Sequence, residues 1–266
     1  MSEARAYAKL NLALVVGPAG RSGKHELTTV LQRIDLADRI RLEPAPALRV
    51  DGFAADTLVT AALELVAREA GVEPRWAAQI EKEIPVAAGL GGGSSDAAAA
   101  LLLANGTLDR PLPPERLHEL AASLGADVPF FLSEGPQLGE GDGTVLTPLQ
   151  LPQAFAVVLV LEDGAAKPST ASVYAEFDRR HGADGYAERR ARLLEALAAG
   201  DLAALPGNDL ASSPLAAELR ERGAFRADVS GAGPAVYGLF DDPAAAAVAE
   251  AELRPRGRAW ILRPAW

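Results

Sequence analysis

Alternating apolar and polar side chains predict β-strands in the first fifty residues. Four segments show the alternation: residues 6–16, 25–33, 38–42 and 48–50. In the first of them, Leu10 and Leu12 share one face of the predicted strand, while Lys9 and Asn11 lie on the other. Because short turns connect these segments, the pattern predicts an antiparallel, meander-like sheet.

Helical periodicity takes over from residue 56. Three segments carry it before residue 125: residues 56–70, 95–103 and 114–124. Asp56 is placed to cap the first helix, and Gly71 is placed to end it. Residues 76–84 lie between the helices as a predicted strand that Pro85 ends.

A change of composition at residues 148–152 predicts a boundary between a domain of residues 1–150 and a domain of residues 151–266. Beyond it, strands are predicted at residues 155–161, 226–229, 234–240 and 257–262, and helices at residues 185–199, 214–221 and 243–253. The final β-β-α-β order is the closing half of a ferredoxin-like α+β sandwich.

The composition is that of an ordinary globular protein with an excess of acidic groups. Of the 266 residues, 49% are hydrophobic and 23% are charged, and the net charge is −10. A nucleic-acid backbone normally requires a basic face, so this charge argues against nucleic acid as a partner. Without cysteine, and without an apolar run near the roughly 18 residues that span a membrane, the chain is expected in the cytoplasm with no membrane partner.

Residues 85–100 are the most informative segment, because four of the five positions 89–93 are glycine and an alanine-rich run follows. Ser94, Ser95 and Asp96 offer N-caps, so a helix is expected to begin there. A glycine loop that leads into a helix presents unpaired N–H groups, which favours a phosphate site. A flexible turn is the alternative, because the loop lacks the lysine of a Walker A motif and the βαβ context of a dinucleotide fingerprint.

Lys9 and Asp127 are charged residues in apolar settings. If Lys9 is buried, its ammonium needs a carboxylate or phosphate partner. Alternatively, its stem covers apolar surface while the charge stays in water. Asp127 suits the N-cap of a helix with Pro129 in its first turn, and it would equally suit a partner for Lys9.

A second glycine segment, residues 230–233, separates two predicted strands of the second domain. It fits a hairpin turn. The alternative is that it supports the phosphates bound by the first glycine loop.

Four segments in this order resemble the GHMP small-molecule kinases: residues 8–12 (Ala-Lys-Leu-Asn-Leu), 85–96 with a Gly-Leu-Gly-Gly-Gly-Ser-Ser core, 125–129 (Gly-Ala-Asp-Val-Pro) and 230–233 (Ser-Gly-Ala-Gly). Asn208-Asp209-Leu210 is a weaker fifth segment. The resemblance spans nearly the whole chain. It implies an α+β, two-domain architecture, with an N-terminal ribosomal-protein-like α/β domain and a C-terminal ferredoxin-like domain.

The resemblance also implies phosphoryl transfer from ATP to a small alcohol. Asp127 would take the proton of the acceptor hydroxyl, and Lys9 would hold Asp127 ionised and stabilise the transferring group. Mg²⁺ is expected with the nucleotide, and either Ser94 or Asp96 could supply a protein ligand. The implied ATP-binding residues are Pro85, Val86, Ala87, Ala88, Gly89, Leu90, Gly91, Gly92, Gly93, Ser94 and Ser95, with Gly231, Ala232 and Gly233 as phosphate-loop support.

Within the family, the resemblance is greatest to kinases of a cytidine-diphosphate-linked alcohol. The substrate-binding residues that it implies are Asn11, His25, Thr170 and Tyr174. Lys24 stands where the family has a tyrosine that stacks on the base, so an alcohol of the mevalonate or homoserine type is the alternative acceptor. The implied partners are small molecules, and the chain would be a monomer or a homodimer.

Overall fold

The computed structural model describes residues 2–20, 23–54, 58–165 and 169–265. Its strands are β1 (Ser2–Ala19), β2 (His25–Pro44), β3 (Arg49–Asp51), β4 (Trp76–Glu81), β5 (Gln137–Gly141), β6 (Val145–Pro148), β7 (Ala156–Glu162), β8 (Arg226–Val229), β9 (Val236–Phe240) and β10 (Gly257–Leu262). Its α-helices are α1 (Leu58–Ala70), α2 (Gly92–Asn105), α3 (Pro114–Leu124), α4 (Thr170–Arg179), α5 (Tyr186–Ala199), α6 (Pro214–Glu221) and α7 (Pro243–Leu253). None of the helices in the described ranges has the length and apolar character that a membrane crossing requires.

Two compact units interleave along the chain. The first contains Met1–Ala8, Leu36–Val86 and Gly91–Glu134, and the second contains Lys9–Asp35, Ala87–Leu90 and Gly135–Trp266. The glycine segment therefore contributes residues to both units. The contiguous boundary at residue 150 stays a prediction.

The first unit combines β-strands with three helices. Residues 39–44 of β2 pair antiparallel with β4, and β3 pairs parallel with β4. Because α1 connects β3 to β4, this helical crossover brings the two strands into the same direction. The wholly antiparallel meander predicted from the sequence is therefore wrong at this edge. The helix predicted at residues 56–70 begins at Leu58 among the described residues, and its predicted cap, Asp56, lies outside them.

Strand β2 runs without a break where the sequence predicted two separate strands. Ile34, Leu36 and Ile40 keep the alternation through the junction, and all three are buried. Asp38 occupies an inward position in the same row and is fully buried. The sequence analysis left residues 34–37 outside both predicted strands, although Ile34 and Leu36 continue the alternation.

The second unit contains a four-stranded antiparallel sheet in the order β10-β7-β9-β8. Helix α6 packs on β8 and β9, and α7 packs on β7 and β10. Val158, Leu219, Phe240 and Leu253 are among the residues that form the apolar core between sheet and helices. This strand order confirms the ferredoxin-like prediction.

The β5–β6 hairpin is a feature that the sequence analysis missed. Residues 27–31 of β2 pair antiparallel with β5, and β5 pairs antiparallel with β6. Glycines at 139, 141 and 143 made this segment resemble a loop. A Cβ at Gly139 would approach Cγ2 of Thr29 at 3.0 Å, so at least this glycine fits the close packing of the two strands.

Candidate active site

Lys9 lies in the buried part of β1 and is only 4% exposed. Its Nζ donates a hydrogen bond of 2.5 Å to Oδ1 of Asn11, which lies two positions along on the same face of the strand. Its backbone N–H donates to the carbonyl of Leu90 in the glycine loop, at 2.9 Å. The alternative of a lysine that extends into water is therefore wrong.

Asn11 is held at both ends of its amide. While Oδ1 accepts from Lys9, Nδ2 donates to Oγ1 of Thr29 at 2.8 Å, and Thr29 donates in turn to the carbonyl of Ala13 at 2.7 Å. Tyr237 donates to the carbonyls of Asn11 and Leu12, both at 3.1 Å. Asn11 is thus placed beside the predicted catalytic lysine, while its contact with a substrate stays a prediction.

The second glycine segment, residues 230–233, lies against the first one inside the second unit. Oγ of Ser230 donates to the carbonyl of Gly89 at 3.0 Å. Gly89 has φ +83°, and a Cβ there would lie 2.2 Å from the Ser230 carbonyl oxygen. At Gly231, with φ +57°, a Cβ would lie 3.3 Å from Oδ1 of Asn11 and 3.6 Å from Nζ of Lys9. The clash at Gly89 requires glycine there, and the left-handed φ favours glycine at Gly231.

The same segment also connects β8 to β9, as the hairpin interpretation predicted. Ser230 donates its N–H to the carbonyl of Ala235, and Gly233 donates to the carbonyl of Ser230, both at 2.9 Å. Ala232 lies in the turn between them and is half-buried. A role for Gly231, Ala232 and Gly233 in supporting phosphates stays a prediction.

Asn208, from the weaker fifth segment, braces this turn. Its Nδ2 donates to the carbonyls of Val229 and Gly231 at 2.9 and 2.6 Å. Its Oδ1 accepts from the N–H of Leu210 at 2.8 Å. Asn208 therefore fixes the backbone next to Lys9, although it caps no regular helix.

Residues 85–90 lead from β4 towards α2. Pro85, Ala88 and Leu90 are buried, whereas Val86 and Ala87 are exposed. Ala87 adopts φ +59°, a left-handed conformation that costs a non-glycine residue about 1 kcal/mol or more. Strained backbone of this kind is concentrated in functional loops.

Helix α2 begins at Gly92 and not at the predicted residue 95. Gly91 is the N-cap residue in a left-handed conformation, with φ +68°, and no side chain caps the helix. The first helical bond runs from Ser95 N–H to the Gly91 carbonyl at 2.9 Å. The predicted N-cap roles of Ser94, Ser95 and Asp96 are therefore wrong, because glycine lets the chain turn into the helix earlier. The N–H groups of the first turn have no acceptor within the helix, which suits an anion.

A buried ionic cluster lies in the first unit, and the sequence analysis did not find it. Nζ of Lys82 donates to Oδ2 of Asp96 at 2.7 Å and forms a short bond to Oδ2 of Asp38. Oδ1 of Asp38 accepts from the backbone N–H groups of Glu83 and Ile84, at 2.6 and 2.8 Å. Two signals could have found the cluster: an aspartate in an apolar row, and one of only four lysines immediately before the glycine loop.

One ammonium in this cluster faces two carboxylates. Burial raises the pKa of Asp96 to about 7, and the negative charge of Asp38 adds to this rise against the opposing effect of Lys82. Burial also opposes the charge of Lys82, but attraction to Asp96 and Asp38 outweighs it and raises the pKa of Lys82. Among the described residues, none forms a hydrogen bond with the buried Oδ1 of Asp96.

Asp127 is partly buried in the turn that joins α3 to a 3-10 helix, Pro129–Leu132. Val128 is the N-cap residue of that short helix, and no side chain caps it. The predicted N-cap role of Asp127 is therefore wrong, because Asp127 lies one position before the cap. Asp127 belongs to the first unit and Lys9 to the second, and the pairing of the two stays a prediction.

Two of the predicted substrate-binding residues lie together. The ring centroids of His25 and Tyr174 are 4.8 Å apart, and the rings of His25 and Phe177 are nearly perpendicular, with centroids 5.8 Å apart. Nε2 of His25 donates to Oδ1 of Asp178 at 2.8 Å. Thr170 is exposed at the first position of α4, one turn before Tyr174. The aromatic cluster is in place, whereas its contact with a base stays a prediction.

Lys24 directly precedes His25 of this aromatic cluster in the sequence, and it forms an exposed ion pair. Its Nζ lies 2.6 Å from Oδ2 of Asp142 in the β5–β6 turn, and the side chain of Lys24 is 64% exposed. The bond from Lys24, together with one from Thr144, lowers the pKa of Asp142. The residue that replaces the family's tyrosine is thus engaged with a carboxylate.

The donor set near α2 limits how Mg²⁺ could be held. Mg²⁺ prefers oxygen ligands and commonly binds through one or two carboxylates together with substrate phosphates. Asp96 does not fit this role, because an ammonium already occupies one of its oxygens and the residue is buried. Ser94 is partly exposed in the first turn of α2 and presents a suitable hydroxyl oxygen. Across the described residues, no group of three or more His, Cys, Asp or Glu side chains could hold a metal ion.

Comparison with known proteins identifies related sequences over most of the chain. Two family models match: GHMP kinases N terminal domain at residues 57–135, and GHMP kinases C terminal at residues 210–258. A curated relative from Nocardia farcinica, named 4-diphosphocytidyl-2-C-methyl-D-erythritol kinase, is 41% identical, and the match covers 98% of this chain and 92% of the relative.

Solved structures of similar proteins also include a kinase of the same name. A crystal structure of 4-(cytidine 5'-diphospho)-2C-methyl-D-erythritol kinase matches with a TM-score of 0.83 and 34% identity, covering 100% of both chains. The L. major mevalonate kinase in complex with R-mevalonate matches with a TM-score of 0.70 and covers 100% of this chain and 97% of that one, but it is only 19% identical. The second likeness shows a shared fold and nothing about the acceptor.

Proposed function

Because this chain belongs to the GHMP kinase family, and within it to the group of 4-diphosphocytidyl-2-C-methyl-D-erythritol kinases, we propose that it transfers the γ-phosphoryl group of ATP to the 2-hydroxyl of that alcohol. The products are ADP and the 2-phosphate, an intermediate of the non-mevalonate route to isoprenoid precursors. The observation that carries the proposal is the buried Lys9, oriented by Asn11 and bonded through its backbone to the glycine loop.

Residues 85–95 bind the phosphates of ATP in this proposal. The start of α2 supports it, because its first-turn N–H groups lack helical acceptors and the positive end of the helix dipole favours anions. The contacts of Ser230 and Gly231 with Gly89 support a fixed loop shape. Mg²⁺ enters with the nucleotide, and Ser94 is the residue suited to hold it, where it would neutralise phosphate charge.

Asp127 and Lys9 perform the transfer in this proposal. The oxygen of the 2-hydroxyl bonds to the γ-phosphorus while Asp127 takes the proton of that hydroxyl. The bond from the γ-phosphorus to the bridging oxygen of ADP breaks. Lys9 keeps Asp127 ionised and stabilises the negative charge on the transferring oxygens. Most of the catalysis is positioning and electrostatics, as is general for phosphoryl transfer.

The cytidine part of the acceptor binds at His25 and Tyr174 in this proposal, with Thr170 nearby. The close packing of those two rings supports an aromatic platform for the base. Because Lys24 offers no aromatic ring, the base would stack on one side only.

The acceptor is tested by the rate of ADP formation with ATP and each of three alcohols: 4-diphosphocytidyl-2-C-methyl-D-erythritol, mevalonate and homoserine. We expect kcat/KM for the cytidyl compound to exceed the other two by about 10³-fold or more, because a site that pairs with a base rejects substrates that lack one. Faster turnover of mevalonate or homoserine would overturn the proposed acceptor and leave the kinase fold unaffected.

A further inference from the structure

The glycine segment is anchored at both stems by the same buried charges. On the side before the loop, Asp38 accepts the N–H groups of Glu83 and Ile84, the two residues that precede Pro85. On the side after it, Asp96 projects from the second turn of α2. Lys82 bonds to both carboxylates, so one ammonium joins the strand that enters the loop to the helix that leaves it.

The two stems also touch directly. A Cβ on Gly92 would lie 3.1 Å from Cγ2 of Ile84 and 3.4 Å from Nζ of Lys82. The chain just before Pro85 and the chain just after Gly91 are therefore close together. The closed base of the loop is the point at which the ionic cluster acts.

We propose that Asp38, Lys82 and Asp96 form a clasp that closes the base of the nucleotide loop and so positions the first-turn N–H groups of α2 for the phosphates of ATP. This proposal rests on the proposed function, because it assumes that the loop binds ATP. The three residues act through the loop backbone and are positioning residues. None of them is required to touch the nucleotide.

The charges of the clasp favour positioning over stability as its purpose. The side chains of Asp38, Lys82 and Asp96 are 0%, 16% and 3% exposed, so all three charges are largely removed from water. A buried ionic cluster generally stabilises a fold no better than apolar side chains of the same size. The cluster instead fixes the geometry of the groups that it joins, because each hydrogen bond requires a defined angle and distance between donor and acceptor.

The clasp is tested at Asp96, because its removal leaves Lys82 and Asp38 as a balanced pair. We expect Asp96→Ala to raise the KM for ATP and the Kd for the non-hydrolysable analogue AMP-PNP by about tenfold, with kcat changed by less than about threefold. Asp96→Asn should restore most of the affinity, since its amide oxygen still accepts from Lys82. Kinetics with the cytidyl alcohol and calorimetry with AMP-PNP give the two numbers.

Asn105→Ala is the matched control, because Asn105 is the last residue of α2 and fixes its opposite end. Oδ1 of Asn105 accepts from the N–H of Leu112 at 2.7 Å, and Nδ2 donates to the Leu112 carbonyl at 3.2 Å. This variant should lower the melting temperature about as much as Asp96→Ala while leaving Kd for AMP-PNP unchanged.

Three results would count against the clasp. If Asp96→Ala has unchanged nucleotide affinity and the unaltered protein binds normally, the clasp is overturned and the proposed function is not. An equal loss of affinity in Asn105→Ala overturns it as well, because general loosening of α2 then explains the effect. No binding of AMP-PNP by the unaltered protein contradicts the proposed function, and the clasp fails with it.

Discussion

Among the described residues, Lys9 and Lys82 are lysines largely withdrawn from water, and the partners seen for them differ in charge. Lys82 donates to two carboxylates at the base of the glycine loop. Lys9 donates to the amide of Asn11, which is itself bonded to Thr29. A carboxylate partner holds an ammonium in place and also neutralises its charge. An amide holds the ammonium in place without adding a charge.

In the proposed function, this difference separates a charge that holds structure from a charge used in chemistry. Lys82 holds backbone and helix together, so its removal should be felt in stability and in nucleotide affinity. Lys9 donates to a neutral amide, and in the proposed function its charge acts on a substrate and on the base Asp127.

The largest effect is expected from removal of the Lys9 charge. Lys9→Met should lower kcat by about 10³-fold or more while the protein still folds and binds ATP, because the stem is kept and only the ammonium is lost. Steady-state kinetics and AMP-PNP calorimetry measure the two effects. Lys24→Met is the matched control, since Lys24 is exposed, and its kcat should stay within about threefold of normal. Comparable loss in both variants would argue against a special role for Lys9.

Removal of the Lys82 charge should act on stability. Lys82→Met leaves two buried carboxylates without a cation, and loss of one partner from a buried ionic group typically costs about 3–5 kcal/mol. Urea unfolding followed by circular dichroism measures the change in the free energy of unfolding. The exposed Lys24→Met should change it by less than about 1 kcal/mol. Equal stability of the two variants would show that the cluster is not ionised as the structure implies.

A carboxylate at position 11 should sharpen the comparison. Asn11→Asp keeps the shape of the side chain but places a carboxylate 2.5 Å from the ammonium. We expect kcat to fall by about 10²-fold, because charge that is neutralised locally no longer stabilises the transferring group. Asn11→Ala, which removes the orienting bond without adding charge, should lose less. If Asn11→Asp turned over at the normal rate, the neutral partner would have no catalytic meaning.

The smallest effect is expected at Lys24. Lys24→Tyr removes an exposed ion pair, so stability should change by less than about 1 kcal/mol. The new ring should lower the KM for the cytidyl alcohol by about threefold to tenfold, because an aromatic pair is worth about 0.5–1.5 kcal/mol. The KM for ATP should not move. Lys24→Met serves as the control that breaks the ion pair without adding a ring, and an equal fall in its KM would contradict stacking as the cause.

Much of the fold could be predicted from local patterns. The bounds of α3, α6, α7, β8 and β10 agree with the prediction, and each element has a proline or glycine at or within two residues of at least one end. The β5–β6 hairpin could not be found, because its glycines look like a loop until the strand beside them is known. The start of α2 was misplaced for a related reason: Gly91 begins the helix without a side-chain cap.

The sequence singled out residues 85–95 by their glycine content, and it offered burial of Lys9 as one of two alternatives. The nucleotide and catalytic roles of these residues stay predictions. The cluster around Lys82 could not be predicted, because Asp38 and Asp96 are 58 positions apart in the numbering and neither has a local signature. Bonds between distant residues become visible only after folding.

The central claim is that Lys9 and Asp127 act as one catalytic unit. A double-mutant cycle with Lys9→Met, Asp127→Asn and the combined variant tests it most directly, with kcat measured under saturating ATP and cytidyl alcohol. If the two act together, each single change lowers kcat by about 10³-fold, and the combined variant is scarcely slower than either one. Additive losses, or near-normal turnover in Asp127→Asn, would contradict the claim.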